Sequence, residues 1–251
     1  MNPTLGRMIP FKEYSGVQNM SLDQVLQEAV DATQVPVLRF YGWKTATLSL
    51  GYFQSSSDRE LHPQSIESPC VRRATGGGAL MHDCELTYSL VIPQSAGKTG
   101  PRLDLYEQIH AGLISAMLEF GVKLVPFGKT SKEYCAGGCK AFLCFQRRTE
   151  EDLILHGYKV VGSAQRKSRA SLLQHGSILL NASEYAPELP GVNDIGSSTV
   201  CVSDLSRAIA NKLSSQLSIQ WEESDFTSQE MNESTNIATA RFGSDHWYTR
   251  R

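Results

Sequence analysis

Residues 72–83 read RRATGGGALMHD, and this stretch decides the fold. It places two arginines, three consecutive glycines and a His-Asp pair within twelve residues. Glycine lets the backbone approach a ligand closely, and Arg72 or Arg73 could supply a fixed positive charge beside that ligand. The stretch matches neither GxGxxG nor a phosphate loop, since it lacks the Lys-Ser/Thr ending. It therefore indicates either a ligand-binding glycine run or an ordinary glycine-rich turn with solvated arginines.

A second informative stretch follows at residues 156–181, HGYKVVGSAQRKSRASLLQHGSILLN. Small side chains on two adjacent strands would leave a slot that larger side chains would fill. Lys159 at the mouth of this slot could hold a carboxyl, carbonyl or phosphate oxygen. The alternative is an edge-strand lysine that faces water, because lysine is among the most exposed residues. The residues expected around the slot are Gly162, Ser163, Ala164, His175 and Gly176.

The remaining pattern predicts helices and strands without regular βαβ alternation, which favours an α+β fold. A capping box at Ser21 and Gln24 predicts a helix that begins there. Further helices are predicted over 105–120, 203–217 and, more weakly, 227–242. Strands are predicted over 35–43, 46–53, 70–74, 79–93 and 151–155, and two more follow a turn at His156 and Gly157.

Composition limits the class of protein. The chain has 251 residues, 41% of them hydrophobic, so it can bury a core as one compact unit. A formal charge of -2 gives no basic field for nucleic acid, and no apolar run is long enough to cross a membrane. Six cysteines are too few for a disulfide scaffold and no secretory segment precedes them, which predicts a cytoplasmic protein with reduced thiols.

Together the two stretches resemble the catalytic domain of the biotin and lipoate protein ligase family, over roughly residues 23–183. The resemblance implies a mixed, largely antiparallel sheet with flanking helices and an acyl chain in a tunnel beside the glycine run. We expect a single domain over 1–251, with a core over about 21–183 and a short helical tail over about 200–251. The resemblance implies acyl or substrate binding by Arg72, Arg73, Thr75, Gly76, Gly77, Gly78, His82, Gly162, Ser163, Ala164, His175 and Gly176.

One segment separates the branches of this family. LCFQ at residues 143–146 resembles the cysteine segment of the octanoyltransferases found in Gram-positive bacteria, which makes Cys144 the candidate nucleophile. Lys159 would stabilise its thiolate and then hold the acyl carbonyl oxygen. The group moved is octanoyl or lipoyl, and the donor implied is octanoyl-acyl carrier protein or a lipoyl domain. The acceptor is a lysine on a lipoyl domain, either glycine cleavage H protein or a 2-oxoacid dehydrogenase E2. Because thioester exchange followed by amide formation runs downhill, no cofactor is required.

Two other functions stay open. The first is an ATP-dependent lipoate ligase, because the octanoyltransferases often carry Arg where Gly78 stands, whereas the ligases have a third glycine. Such a ligase would use ATP and Mg, and Arg73, the glycines and Lys159 would hold the acyl-adenylate. Against the ligase, only about 70 residues follow Leu180, too few for the added domain of its larger members. The third possibility is a non-catalytic acyl-binding or metal-binding member of the fold.

The other cysteines and histidines receive plainer interpretations. Cys135, Cys139 and Cys144 are spaced C-x3-C-x4-C, without the C-x2-C pair of zinc ribbons, so no metal site is predicted. A Cys-His-Asp triad is rejected because adjacent strand residues point to opposite faces. We instead expect His82 to line the acyl pocket and Asp83 to bond backbone, while His175 can also be structural. No role follows for Cys70, Cys84 or Cys201.

Overall fold

The computed structural model describes residues 3–94, 102–130 and 141–250. Within these residues the strands, in chain order, are β1 (Thr4–Tyr14), β2 (Val37–Trp43), β3 (Thr47–Leu50), β4 (Cys70–Arg72), β5 (Leu80–His82), β6 (Glu85–Pro93), β7 (Val125–Pro126), β8 (Leu153–Leu155), β9 (Tyr158–Lys167), β10 (Ser171–Leu179) and β11 (Ile219–Glu223). The helices are α1 (Gly16–Thr33), α2 (Arg102–Leu118), α3 (Val192–Ile195), α4 (Val202–Leu217), α5 (Ser228–Ile237) and α6 (Asp245–Tyr248).

The large sheet has eight strands in the order β11-β1-β2-β6-β10-β9-β8-β7. β1 runs parallel to both β2 and β11. The other pairings in this sheet are antiparallel. The predicted α+β class with a mixed, largely antiparallel sheet is therefore confirmed.

A small sheet of three strands, in the order β4-β3-β5, holds residues 72–82 with their three glycines. β4 ends at Arg72 and β5 begins at Leu80, so the glycine run is the connection between the two outer strands. The small sheet thus holds the run at both ends. It also brings the run against residues 142–144, because Ala79 and Leu143 form an isolated parallel bridge.

Helices cover the two faces of the large sheet. α1 packs across the central strands β6 and β10, and its apolar face includes Leu22, Leu26 and Val30, each fully buried. α2 packs against α4, and their buried side chains join the main core. Burial of these apolar faces supplies most of the helices' stability, since isolated helices of this length are marginal in water.

Three local predictions were wrong and one strand was missed. Only the start of α1 is set locally, by the Ser15 cap, whereas the other differences reflect strand pairing that the local pattern does not contain. α1 begins at Gly16 with Ser15 as N-cap, and Ser21 lies inside the helix with its hydroxyl bonded to the Val17 carbonyl. The predicted strand over 79–93 is two strands in different sheets. The N-terminal segment forms β1, which no helix or strand signal had indicated. The tail is also not wholly helical, because β11 pairs with β1.

Other elements agree with the pattern. The turn at His156 and Gly157 joins β8 to β9, and both residues have positive φ. α5 begins at the predicted capping box between Thr227 and Glu230. α4 covers 202–217, one residue more than predicted. Cys135 and Cys139 lie outside the described residues.

Candidate active site

The strongest feature of the site is a cysteine beside a buried lysine. Cys144 opens a single helical turn, and its backbone N–H donates to the Ala79 carbonyl at 2.7 Å. Lys159, on β9, places Nζ 3.6 Å from Sγ of Cys144 and 3.3 Å from its carbonyl oxygen. Lys159 is only 4% exposed, so the alternative of a water-facing lysine is wrong. An ammonium at this distance stabilises a thiolate, which is the nucleophilic form of cysteine.

A carboxylate that the sequence analysis missed completes this pair. Asp152 Oδ1 lies 2.8 Å from Lys159 Nζ, and its Oδ2 accepts the Thr149 N–H at 2.7 Å. Both charged side chains are 3% exposed. Asp152 immediately precedes β8, and the β8–β9 hairpin folds it back onto Lys159. Asp152 already lay in the predicted strand over 151–155, but the register that brings it to Lys159 includes an irregularity between Leu153 and Ile154 that the sequence pattern does not contain.

The cysteine and the lysine stand at a narrow cavity between the small sheet and the large one. Apolar and aromatic side chains form much of its wall, with small residues of β9 and β10 opposite. The lining residues are Met20, Tyr41, Trp43, Arg73, Gly76, Gly77, Leu80, His82, Thr87, Cys144, Phe145, Gly162, Ser163, Ala164, His175, Gly176 and Ser177. Most of the residues predicted to bind the acyl group therefore meet in one place.

Glycine is required at two positions beside this cavity. A Cβ on Gly162 would lie 2.7 Å from Cε of Lys159, and one on Gly176 would lie 2.4 Å from Oγ of Ser163. Both distances are shorter than real Cβ contacts, so these glycines make room for the lysine and the slot.

Arg73 fixes the shape of the glycine run from inside. Its guanidinium donates to the carbonyls of Gly76 at 3.2 Å and Gly78 at 2.9 Å, and to both the carbonyl and the hydroxyl of Ser49. Burial lowers the pKa of Arg73. Gly77 has a φ of 101°, a left-handed conformation that favours glycine. The run is therefore a rigid wall of the cavity, not a solvated turn.

A directed chain of hydrogen bonds continues from Arg73 to His82. Arg73 can only donate, so the Ser49 hydroxyl accepts from it and donates in turn to His82 Nε2 at 2.7 Å. His82 Nδ1–H then donates to Glu85 Oε1 at 2.7 Å. Burial lowers the pKa of His82, which keeps the ring neutral in this chain. His82 thus lines the cavity without bonding the Cys144 thiol.

Glu85 and Asp83 behave differently from each other. Burial alone would raise the pKa of Glu85, but His82 and the hydroxyls of Thr87 and Ser177 outweigh it and leave that pKa lowered. Asp83 accepts a hydrogen bond from the Ser183 hydroxyl at 2.7 Å, so the predicted bond to backbone was wrong.

His175 joins α1 to the glycine run. Its Nδ1 lies 3.0 Å from Oδ2 of Asp23, and its Nε2 lies 2.8 Å from the Thr75 hydroxyl. Asp23 also binds Arg39 at 2.8 Å and the Tyr41 hydroxyl at 3.0 Å. The ring therefore has a structural role as well as a place in the cavity wall. Sequence reasoning missed Asp23 because it treated this helix face only as apolar.

Three predicted site residues lie behind the cavity wall. Arg72 is fully buried and donates to the carbonyls of Gly51, Gln54 and Tyr248, so it holds backbone in place. Thr75 reaches the site through His175. Gly78 packs on the cysteine: a Cβ there would lie 3.1 Å from Cα of Cys144.

Neither a metal cluster nor a membrane-spanning helix is found in the described ranges. No group of three or more His, Cys, Asp or Glu side chains there is arranged to hold a metal ion. The helices of those ranges lack the apolar length that a bilayer span requires.

The fold and this site define a class. Residues 15–218 match the lipoyl protein ligase A/B catalytic domain, and the chain belongs to that family. The resemblance drawn from the two sequence stretches is thereby confirmed.

Particular relatives narrow the class. The chain is 29% identical to octanoyltransferase LipM of Brevibacillus brevis, covering 98% of this chain and 99% of that one. It is 27% identical to octanoyltransferase LipM of Bacillus subtilis, with 98% of each chain covered. A shorter match, 38% identical over 69% of this chain and 64% of the other, is to octanoyltransferase LipM of Carboxydothermus hydrogenoformans.

Solved structures share the fold at lower identity. A lipoate-protein ligase A bound with ATP has a TM-score of 0.78 at 18% identity, covering 98% of this chain and 99% of that one. A bipartite lipoate protein ligase from Thermoplasma acidophilum has a TM-score of 0.77 at 18% identity, covering 98% and 96%.

Proposed function

We propose that this protein is an octanoyltransferase of protein lipoylation, which moves an octanoyl group from a thioester donor to a lysine of a lipoyl domain through Cys144. Relatives matched along nearly the full chain bear the name octanoyltransferase. The observation that carries the mechanism is the 3.6 Å contact between Lys159 Nζ and Cys144 Sγ at the wall of a largely apolar cavity.

In the first half-reaction the Cys144 thiolate attacks the carbonyl carbon of the donor thioester. A carbon–sulfur bond to Cys144 forms, the bond to the donor sulfur breaks, and the donor leaves as a thiolate that takes up a proton. Lys159 stabilises the attacking thiolate, and its ammonium then faces the negative charge that develops on the carbonyl oxygen. The apolar walls of the cavity suit an alkyl chain.

In the second half-reaction the amine of the acceptor lysine attacks the same carbonyl carbon. The new carbon–nitrogen bond forms as the bond to Sγ of Cys144 breaks, and the amine proton passes to the cysteine sulfur. The enzyme returns to its starting state, and the acceptor carries an amide. Each step replaces a bond with one of equal or lower energy, so the cycle needs neither ATP nor a metal.

The donor and acceptor follow from this chemistry. We propose octanoyl-acyl carrier protein as donor and a lipoyl domain, of glycine cleavage H protein or a 2-oxoacid dehydrogenase E2, as acceptor. The cytoplasm is the proposed location. Among the described residues Cys70, Cys84, Cys144 and Cys201 are free thiols, which suits a reducing compartment.

The test is to incubate the protein with octanoyl-acyl carrier protein in the absence of ATP and to record its intact mass. We expect the mass of one octanoyl group on Cys144 and then its transfer to an added lipoyl domain. Cys144→Ala should abolish both, whereas Cys201→Ser, which removes an exposed thiol, should change neither. Full transfer by Cys144→Ala would disprove the thioester mechanism. Strict dependence on ATP and a free acid would establish a ligase instead.

A further inference from the structure

Two arginines share one aromatic ring near the end of the chain. The guanidinium carbon of Arg241 lies 3.9 Å from the centroid of the Trp247 ring, and that of Arg250 lies 4.6 Å from it. Arg250 also lies 4.1 Å from the centroid of the Tyr52 ring. Trp247 is itself buried and donates its indole N–H to the Arg72 carbonyl at 3.0 Å. Stacking thus holds two positive charges close together on a fixed support.

A third arginine approaches from β9. Arg166 and Gln24 line one small cavity, and the Gln24 side chain accepts a hydrogen bond from Arg241 at 2.7 Å. Burial, together with the charges of Arg166 and Arg250, lowers the pKa of Arg241 to about 10. The three cations therefore repel one another.

One exposed carboxylate, Glu28, acts on Arg241 from a distance, but it accepts a hydrogen bond from the Gln24 amide at 2.8 Å and is outnumbered by the three positive charges. In the part of the chain that the structure describes, none of the three arginines forms an ion pair, and Nε of Arg241 is buried without a hydrogen-bond partner. Asp23 lines the small cavity, but its oxygens already bind Arg39, Tyr41 and His175. Arg166 and Arg241 are partly buried and Arg250 is exposed, and like charges held this close are unfavourable unless an anion lies among them.

The cluster adjoins the active site. The small cavity shares Met20 and His175 with the cavity that holds Cys144. On its other side Tyr52 packs edge-on against Phe53, with ring centroids 4.9 Å apart, and Phe53 lies beside Gly76. An anion held here would therefore sit next to the glycine run, outside the acyl cavity.

We propose that Arg166, Arg241 and Arg250 bind the phosphate ester on the thiol-bearing arm of the acyl donor. This inference rests on the proposed function, because a carrier-protein donor presents its acyl group on a phosphopantetheine arm. Gly76 and Gly77 line the cavity beside Cys144, and the arginine cluster adjoins the same run, so the arm of a thioester at Cys144 would reach the cluster along the run. Planar guanidinium groups bind phosphate oxygens in pairs, which makes arginine suited to such a site.

The test compares two soluble donors that differ only in the phosphate, octanoyl-phosphopantetheine and octanoyl-pantetheine. For the wild-type protein we expect kcat/KM to be at least about tenfold higher with the phosphorylated donor, as for one or more charged hydrogen bonds. In R241Q/R250Q the kcat/KM values for the two donors should become equal, because only the value for the phosphorylated donor falls. R241K/R250K should restore part of the preference, and R207Q, which removes an exposed arginine of α4, should preserve it fully.

Several outcomes would overturn the proposal. The first is an equal kcat/KM for both donors in the wild type. The second is an equal fall in kcat/KM for both donors in R241Q/R250Q with an unchanged melting temperature. The third is a defect in R241Q/R250Q that affects only the reaction with the lipoyl-domain acceptor. A rise only in the KM for ATP would assign the cluster to a nucleotide. If no octanoyl thioester acylates the protein, the proposed function fails. Calorimetric titration with free phosphopantetheine then still tests the site, which requires binding by the wild type and its loss in R241Q/R250Q.

Discussion

At the scale of single residues, a carboxylate holds the lysine that contacts Cys144. Asp152 binds Lys159 Nζ through Oδ1 at 2.8 Å, and its Oδ2 is anchored by the Thr149 N–H at 2.7 Å. Lys159 Nζ in turn lies 3.6 Å from Sγ of Cys144. We therefore interpret Asp152 as a residue that positions Lys159 beside the sulfur.

Asp152→Asn should slow octanoylation of Cys144 by roughly 10- to 100-fold, because a displaced lysine no longer stabilises the thiolate. The rate of Cys144 alkylation by iodoacetamide should fall as well, whereas the rate of Cys201 alkylation should not, a difference that a merely structural residue would not produce. Asp83→Asn is the matched control, since this carboxylate bonds to the Ser183 hydroxyl and the Cys84 thiol rather than to Lys159.

Breaking a buried pair also destabilises a fold by about 3–5 kcal/mol, so stability needs its own measurement. The double variant Asp152→Asn/Lys159→Met removes both charges and should regain much of that stability while remaining inactive. An unchanged rate of Cys144 alkylation in folded Asp152→Asn would show that the carboxylate does not position the lysine.

The sequence predicted the residues that meet at the cavity better than it predicted their roles. Cys144 and Lys159, fifteen positions apart, are in contact, as the motif resemblance implied. Arg72 and Arg73 are indistinguishable in the sequence, yet only Arg73 lines the cavity. The difference arises because adjacent residues at a strand end point to opposite sides, and the pairing that decides which side is inward is not local.

At the scale of elements, the glycine run lies in close contact with the segment that carries Cys144. A Cβ on Gly78 would lie 3.1 Å from Cα and 3.2 Å from N of Cys144. A Cβ on Gly76 would meet only Phe53, at 3.8 Å, which is an ordinary van der Waals contact. The third glycine therefore has a packing role in this chain, whether or not the enzyme uses ATP.

Gly78→Ala should lower the rate of Cys144 octanoylation by about tenfold, because moving the nucleophile by a fraction of an ångström away from Lys159 reduces its alignment. Gly76→Ala should cost much less. The measurement is single-turnover acylation followed by intact mass, with thermal melting to show that both variants remain folded. Equal rates for the two variants would mean that the close contact at Gly78 is not limiting.

Periodicity predicted the elements whose neighbours in space are also neighbours in sequence. α5 begins at the capping box between Thr227 and Glu230, a contact across three residues. The split of residues 79–93 into β5 and β6 was not predictable in this way, because it reflects a change of sheet at Asp83 and Cys84. β1 and β11 were missed because their pairing joins the two ends of the chain.

At the scale of the whole molecule, the tail is part of the active-site support. The Tyr248 carbonyl of α6 accepts a hydrogen bond from the Arg72 guanidinium, and the Trp247 indole N–H donates one to the Arg72 carbonyl. α5 is tied to β1 by the Arg7–Glu230 ion pair at 2.6 Å. The predicted division into a core and a helical tail understates this dependence, since residues near 247 brace the start of the glycine run.

Stability of the whole molecule should depend on pH through His110, which lies on α2 behind the cavity. Its Nδ1–H donates to the Glu151 carbonyl at 2.9 Å, so Nε2 accepts from the Ser163 hydroxyl at 2.8 Å. Burial lowers the pKa of His110 from 6.5 to about 4. The ring is therefore neutral in the native state.

Because the unfolded chain binds a proton at His110 near pH 6.5 and the native chain does not until about pH 4, this group's contribution is complete above pH 6.5 and is lost as the pH falls through that window. Between pH 7 and pH 5 the loss is about 2 kcal/mol. We expect the free energy of unfolding, measured with urea at the two pH values, to fall by about 2 kcal/mol less in His110→Gln than in the wild type. Other buried histidines titrate in both proteins and cancel in the comparison. His246→Gln, at an exposed position in α6, should lose as much unfolding free energy as the wild type. If His110→Gln also lost as much as the wild type, the buried, neutral state of His110 would be contradicted.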